Sequence, residues 1–230
     1  MIGRIESIQV GKPDKRVMPE GVRVDFRHPF WTSAIFKDPV AGPVMVGPET
    51  IEGDGQADLE NHGGPDNVVL AYNAGHYPAW LEQLADEIDA LPHGAFGENF
   101  TVSGFSDETV CVGDIWEVGP EGTAGNLTLQ ITQPRQPCYK LARRLQLPHI
   151  VKMVRENSRG GWYLRVLRPG VAQAGMPIRL VERKHPEWTI AHAVQVMYAR
   201  KKHQEAARAL AQLAELSARW KDELILQEAT

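Results

Sequence analysis

The feature that most constrains the fold of this chain is a series of short apolar or alternating runs separated by glycine and proline. The chain has 230 residues, including 21 glycines and 16 prolines. Such runs are typical of β-strands, and many short strands separated by glycine and proline favour a sandwich or a barrel. The predicted strands cover residues 22–26, 44–46, 68–72, 110–112, 115–118, 127–132, 162–166 and 178–181.

Helical periodicity interrupts the strand-rich part in two places. One helix is predicted to begin near Asn73, a favourable N-cap, and to carry Trp80, Leu81 and Leu84 on one side. A second is predicted near residues 150–154. The strand-rich part is therefore expected to be mainly β with a few helices.

After about Lys184 the pattern becomes helical throughout. Thr189 and Ser217 are predicted N-caps, and the apolar spacing indicates three short helices. We therefore predict a β-barrel domain over residues 1–183 and a three-helix C-terminal domain over residues 184–230. The apolar faces of these helices must be covered, either by the barrel or by a second subunit in a homodimer. We expect the helices to pack so that they shape or shield the entrance of the ligand pocket.

Composition excludes several classes of function. A net charge of −4 gives no electrostatic basis for binding nucleic acid, and two cysteines without a C-x-x-C pair give neither a disulfide framework nor a zinc site. No apolar run reaches membrane-spanning length, and the segment after Met1 does not resemble a signal peptide. We expect a cytoplasmic protein that does not contact membranes.

Cys138 is the residue with the clearest chemical potential. It follows the predicted strand 127–132 and precedes a short amphipathic helix, whose first turn Pro137 suits. Unpaired N–H groups there, with Arg135 and Lys140 on either side, would favour a thiolate, the form that binds metals or attacks electrophiles. The alternative is an inert, buried cysteine, and this role is expected for Cys111 in its apolar run.

Two further polar segments carry glycines and lack the pattern of core strands. Residues 53–65 include His62, Gly63 and Gly64, and residues 94–100 include Asn99. Each alone is compatible with an ordinary turn. Together with the segment around Cys138 they suggest loops that line a ligand-binding cavity in a strand-rich body.

Five segments together resemble the MOSC domain, which is shared with molybdenum-cofactor sulfurase C-termini and the mitochondrial amidoxime-reducing component. They are EGDGQAD (52–58), HGG (62–64), GAFGEN (94–99), QPRQPC (133–138) and GWY (161–163). The helical tail, which begins with EWT at 187–189, resembles that of the YiiM-like branch. The chain departs from many relatives at Asp66, where a basic residue is expected.

The resemblance implies a MOSC-type barrel that binds a molybdenum cofactor (molybdopterin) and reduces N-hydroxylated compounds, for example N-hydroxylated nucleobase analogues, in detoxification. Nothing in the sequence resembles a flavin or iron–sulfur site, so electrons would come from a separate donor protein. Cys138 would be the metal ligand and a catalytic residue together with His62. The implied cofactor-binding residues are Arg135, facing the cofactor's phosphate, and Lys140, Gly63, Gly64, Asn99 and Arg165.

Two alternatives remain open from the sequence. The first is a module that binds or carries the cofactor or its sulfur without reductase turnover. The second is a cysteine hydrolase in which Cys138 is the nucleophile and His62 the base, although no third group is evident.

Overall fold

The computed structural model describes residues 1–17, 30–57, 63–123 and 125–225. The strands of this part are β1 (Ile2–Val10), β2 (Asp14–Val17), β3 (Phe30–Ser33), β4 (Asp38–Pro39), β5 (Val44–Val46), β6 (Val69–Asn73), β7 (Phe100–Ser103), β8 (Ile115–Val118), β9 (Leu127–Pro134), β10 (Trp162–Arg168), β11 (Gly170–Ala172) and β12 (Pro177–Glu182). The helices are α1 (His76–Gln83), α2 (Tyr139–Leu145), α3 (Ile150–Glu156), α4 (Ile190–Tyr198), α5 (Gln204–Ala211) and α6 (Ala218–Ile225).

Seven of these strands close into a barrel. Hydrogen bonding runs in the order β1, β12, β8, β9, β10, β6 and β7, and β7 pairs with β1 to complete the circle. All pairs are antiparallel except β6 with β7, which is parallel. The predicted mainly β, barrel-like fold with a few helices and a helical tail is confirmed.

Two local predictions were wrong. Residues 110–112 form no strand: Cys111 makes an isolated bridge to Thr189, because this run pairs with the start of the tail. Asn73 belongs to β6, and the N-cap of α1 is Gly75. The Asn73 side chain instead accepts a hydrogen bond from the Gly75 N–H at 2.8 Å, which turns the chain between strand and helix. The predicted strand 22–26 lies outside the described residues.

The tail helices share one apolar core with the barrel. Barrel side chains such as Trp116 and Trp162 belong to the same buried cluster as Trp188, Met197 and Trp220 of the tail. The barrel of the same chain therefore covers the apolar faces of these helices. A second, separate core lies beneath α1, α2 and α3 and contains Trp80 and Phe96.

The predicted caps of the tail are confirmed. The Thr189 side chain accepts a hydrogen bond from the backbone N–H of His192 at 3.1 Å and caps α4. The Ser217 hydroxyl accepts from the Trp220 N–H at 3.3 Å at the start of α6. No helix in the described ranges is long and apolar enough to cross a membrane.

Candidate functional site

A cavity of about 420 Å³ opens where β9 leaves the barrel and α2 begins. Its walls come from several distant parts of the chain. They are the segments 33–37, 54–57, 67–70 and 96–99, the β9–α2 junction, and residues of α3, β10 and α6. The polar, charged and aromatic side chains that line it include Lys37, Asp54, Phe96, Asn99, Gln133, Arg135, Gln136, Cys138, Tyr139, Lys140, Arg155, Tyr163, Arg219 and Trp220.

Cys138 is the N-cap of α2 and lines this cavity. Its backbone is extended (φ −120°, ψ 174°), and its carbonyl accepts a hydrogen bond from the Leu141 N–H at 3.0 Å. The thiol is partly exposed. The strand-to-helix junction was predicted correctly, but the helix begins after Cys138, so Pro137 precedes the cap instead of lying in the first turn.

Arg135 directly follows β9 and has only 6% of its surface exposed. Its Nη2 donates to the Phe96 carbonyl at 3.2 Å, whereas its buried Nη1 has no hydrogen-bond partner among the described residues. The backbone is fixed by a bond from the Arg135 N–H to the Gly161 carbonyl at 2.9 Å. Gly161 must be glycine because its φ is +76° and a Cβ would lie 2.4 Å from the Ala71 carbonyl oxygen.

Lys140, in the first turn of α2, is the second buried cation of this wall. It is 9% exposed, lines the cavity and belongs to none of the ion pairs between described residues. An uncompensated buried charge is unfavourable. Lys140 and Arg135 therefore place positive charge in the wall that Cys138 also lines, and the buried Nη1 of Arg135 has no hydrogen-bond partner among the described residues.

A third cation of the wall, Lys37, is neutralised. Its ammonium pairs with Asp54, whose carboxylate also accepts from the Gly11 N–H at 2.7 Å and from Asn99 Nδ2 at 2.8 Å. Burial lowers the pKa of Lys37, and the contact with Asp54 partly opposes this effect. Asn99 lines the cavity as predicted, but its amide also donates to the Gln9 carbonyl and accepts from the Leu70 N–H. Its amide groups thus already have protein partners.

The loop that precedes Asn99 is held by the buried carboxylate of Glu98. This carboxylate accepts hydrogen bonds from the Tyr77 hydroxyl, from Thr101 at 2.9 Å, and from the N–H groups of Gly94 and Phe96 at 2.7 and 3.2 Å. These hydrogen bonds position the loop where the Phe96 carbonyl accepts from Arg135.

Three predicted residues do not line the cavity. The guanidinium of Arg165 pairs with Asp66 at 2.9 Å and donates to the Glu215 carbonyl at 2.9 Å, so the acidic departure at position 66 explains where this arginine points. Gly63 and Gly64 precede the 3₁₀ turn Pro65–Asn67 and are outside the cavity wall. His62 lies outside the described residues.

The tail was predicted to shape or shield the pocket entrance, and it does contribute to the cavity wall, although the sequence did not indicate which tail residues do so. Helix α6 supplies Arg219 and Trp220 to the wall. The Ser217 hydroxyl hydrogen-bonds Gln133, and Gln136 Nε2 donates to Glu223 at 2.9 Å, so α6 is attached to both sides of the QPRQPC segment. These contacts join residues far apart in the chain, which is why periodicity alone gave no signal for them.

Positive charge predominates in this cavity although the whole chain is acidic. The described lining residues include five basic side chains, those of Lys37, Arg135, Lys140, Arg155 and Arg219, and a single carboxylate, that of Asp54. Burial raises the pKa of the lining residue Tyr163, so its hydroxyl stays protonated at neutral pH. A thiol among such groups suits an anionic ligand that carries a soft metal.

The other cysteine has a different environment. Cys111 is fully buried, and burial raises its pKa to about 11, which keeps it a neutral thiol. It therefore fits the structural role predicted for it. No group of three or more histidine, cysteine or acidic side chains suitable for a metal was found in the described part of the chain.

Comparison with known proteins agrees with this architecture. Residues 58–179 match the MOSC domain, and residues 188–224 match the YiiM-like 3-alpha helix domain. The uncharacterized protein YflK of Bacillus subtilis is 36% identical over 94% of this chain and 90% of its own length. A protein named Reductase from Gibberella moniliformis is 38% identical over 74% of this chain, which spans only 29% of that protein.

A solved structure shares the whole fold. The crystal structure of YiiM from Geobacillus stearothermophilus superposes with a TM-score of 0.76 at 35% identity, and the match covers 96% of this chain and 97% of that one. The match therefore extends over both the barrel and the helical tail of this chain. This chain belongs to the MOSC-domain family and carries the YiiM-like 3-alpha helix domain.

Proposed function

We propose that this protein is a molybdenum-cofactor-dependent reductase of N-hydroxylated compounds. The observation that carries the proposal is the placement of Cys138 in a cavity beside Arg135, a buried arginine with one unsatisfied Nη1. A relative named as a reductase supports an oxidoreductase of this family.

The residues of the cavity fit the cofactor by charge and by donor type. A thiolate from Cys138 is a soft ligand suited to molybdenum. The cofactor's phosphate would take the unused Nη1 of Arg135 and the ammonium of Lys140 through charge-assisted hydrogen bonds. When bound, the cofactor supplies the two-electron chemistry that cleaves an N–O bond.

The protein's own groups would hold the reactants and control water and protons. The reaction R–NHOH + 2e⁻ + 2H⁺ → R–NH₂ + H₂O consumes two electrons from a separate donor protein and two protons. His62 is proposed to act in proton delivery. Trp220 and Phe96, which are 1% and 0% exposed, form apolar parts of the wall and limit access of bulk water.

The test combines metal analysis with an assay using a chemical electron donor. Wild type, Cys138→Ala and Cys111→Ala are purified from cells that make the cofactor, and their molybdenum and pterin contents are measured. Each is then given reduced methyl viologen and an N-hydroxylated base. We expect turnover in wild type and Cys111→Ala, and none in Cys138→Ala.

Two results would contradict the proposal. Cofactor binding without turnover of any N-hydroxylated compound would make the chain a carrier module. Equal cofactor content and turnover in the two cysteine variants would remove Cys138 from the site.

A further inference from the structure

The basic residues of the cavity lie in two tiers. The inner tier is Arg135 and Lys140, both buried next to Cys138. The outer tier is Arg155 on α3 and Arg219 on α6, which also line the cavity but are exposed at its rim. One phosphate at the inner tier would leave the outer tier to face a second group.

The outer arginines are held at the rim by neighbouring side chains. The Arg155 guanidinium lies 5.4 Å from the centre of the Tyr198 ring, and Arg219 Nε pairs with Glu223 at 2.9 Å. Glu223 also accepts from Gln136, next to the β9–α2 junction. Held in this way, the two guanidiniums lose less side-chain entropy when they bind a ligand.

An aromatic ring completes the rim. Tyr139 lines the cavity and is 46% exposed, directly after Cys138 in the chain. A planar ring offers a stacking surface for a nucleobase, and guanidinium groups favour phosphate because they can donate two parallel hydrogen bonds to it. The two features together match the two halves of a nucleotide.

We infer that the substrates of this site are N-hydroxylated nucleoside monophosphates, whose phosphate is bound by Arg155 and Arg219 and whose base lies against Tyr139. The inference rests on the proposed function because it assigns the inner tier to the cofactor. It adds a substrate class defined by a phosphate group instead of the free base.

The experiment measures binding without turnover. N4-hydroxycytidine 5′-monophosphate, its nucleoside and inorganic phosphate are titrated calorimetrically into the cofactor-loaded full chain. We expect the monophosphate to bind at least about 10-fold more tightly than the nucleoside. Inorganic phosphate should bind more weakly than the monophosphate, because it lacks the base.

Matched variants locate the effect. Arg155→Gln and Arg219→Gln should each reduce the preference for the monophosphate to about 2-fold or less. Lys152→Gln, an exposed position on the same helix α3 that does not line the cavity, should keep it. Trp220 and Cys138 are unchanged in all three variants, so cofactor content should stay constant.

Three results would overturn the inference. The first is equal affinity of wild type for the monophosphate and the nucleoside, which is expected if the rim instead binds an acidic protein. The second is binding of inorganic phosphate as tightly as the monophosphate. The third is loss of the preference for the monophosphate in Arg135→Gln but not in Arg155→Gln or Arg219→Gln. Preference for the monophosphate without any reductase turnover would leave the phosphate subsite standing and remove the proposed function. Turnover of the free base without a preference for the monophosphate would support the proposed function and remove the phosphate subsite.

Discussion

The two cysteines of this chain differ in whether the charged side chains near them are paired with each other. Around Cys111 the charges are paired: the buried Asp114 carboxylate accepts from Arg183 Nε at 2.8 Å and from the Cys111 N–H at 2.9 Å. Around Cys138, buried Arg135 keeps an unsatisfied Nη1 and Lys140 has no ion pair with the described residues. Paired buried charges define a conformation, whereas unpaired ones beside a cavity mark a place for a ligand.

The largest expected effect separates the two thiols. Cys138→Ala should lower the proposed reductase activity by more than about 100-fold, because mutation even of residues that only support metal ligands lowers affinity or activity by 10- to 100-fold. Cys111→Ala should keep activity and lose about 1 kcal/mol of unfolding free energy. Turnover at equal cofactor loading and urea unfolding measure the two effects. Comparable activity in the two variants would show that Cys138 and Cys111 do not differ in function.

The next effect concerns stability. Asp114→Ala removes the partner of Arg183 and an acceptor for the Cys111 N–H, and should lower the free energy of unfolding by about 3 kcal/mol. Lys140→Met should leave stability unchanged or raise it, since Lys140 is a largely buried lysine that belongs to no ion pair between described residues. Urea denaturation of both variants provides the comparison. A large loss of stability in Lys140→Met would show that this lysine belongs to a structural cluster.

Cofactor affinity tests the inner tier directly. Arg135→Gln removes a charged donor and should weaken cofactor binding by about 1.5–3 kcal/mol, seen as less pterin per chain after purification. Arg165→Gln is the matched control, because that guanidinium pairs with Asp66 outside the cavity wall. A reduced pterin content in Arg165→Gln, with full content in Arg135→Gln, would reverse the assignment.

The smallest effect is a pH dependence at the junction of barrel and tail. Burial alone would raise the pKa of Glu215, but hydrogen bonds from His185 and Lys184 outweigh it and hold this pKa at about 2, below the ordinary value of 4.5. A depressed carboxylate pKa stabilises the fold above the unfolded-state value, and this contribution is lost as the pH falls towards 2.

Glu215→Gln measures that contribution. The variant should be less stable than wild type by about 1 kcal/mol at pH 7, because nearby water screens the interaction. The difference should shrink as the pH falls from about 4.5 to about 2. Urea unfolding at several pH values gives the curve. A difference that stays constant over this range would mean that the Glu215 charge is not what attaches the tail.

The sequence was most informative where neighbouring residues define the structure. The strand-to-helix junction at Cys138 and the caps Thr189 and Ser217 follow from local patterns, and all three are present. The N-cap at Asn73 failed because its side chain instead stabilises a turn with Gly75. Sequence reasoning located six of the twelve described strands, β5, β6, β8, β9, β10 and β12, and did not predict the other six.

The sequence by itself determined the fold class, the family and the position of a thiol at the end of a strand, because apolar period, capping residues and motif order are properties of contiguous residues. Only the tertiary structure decided which charges are satisfied. Asp66 engages Arg165 and Asp54 neutralises Lys37, whereas Arg135 keeps an unsatisfied donor beside Cys138. Each of these outcomes depends on atoms brought together by packing between distant segments, so no local pattern could encode it.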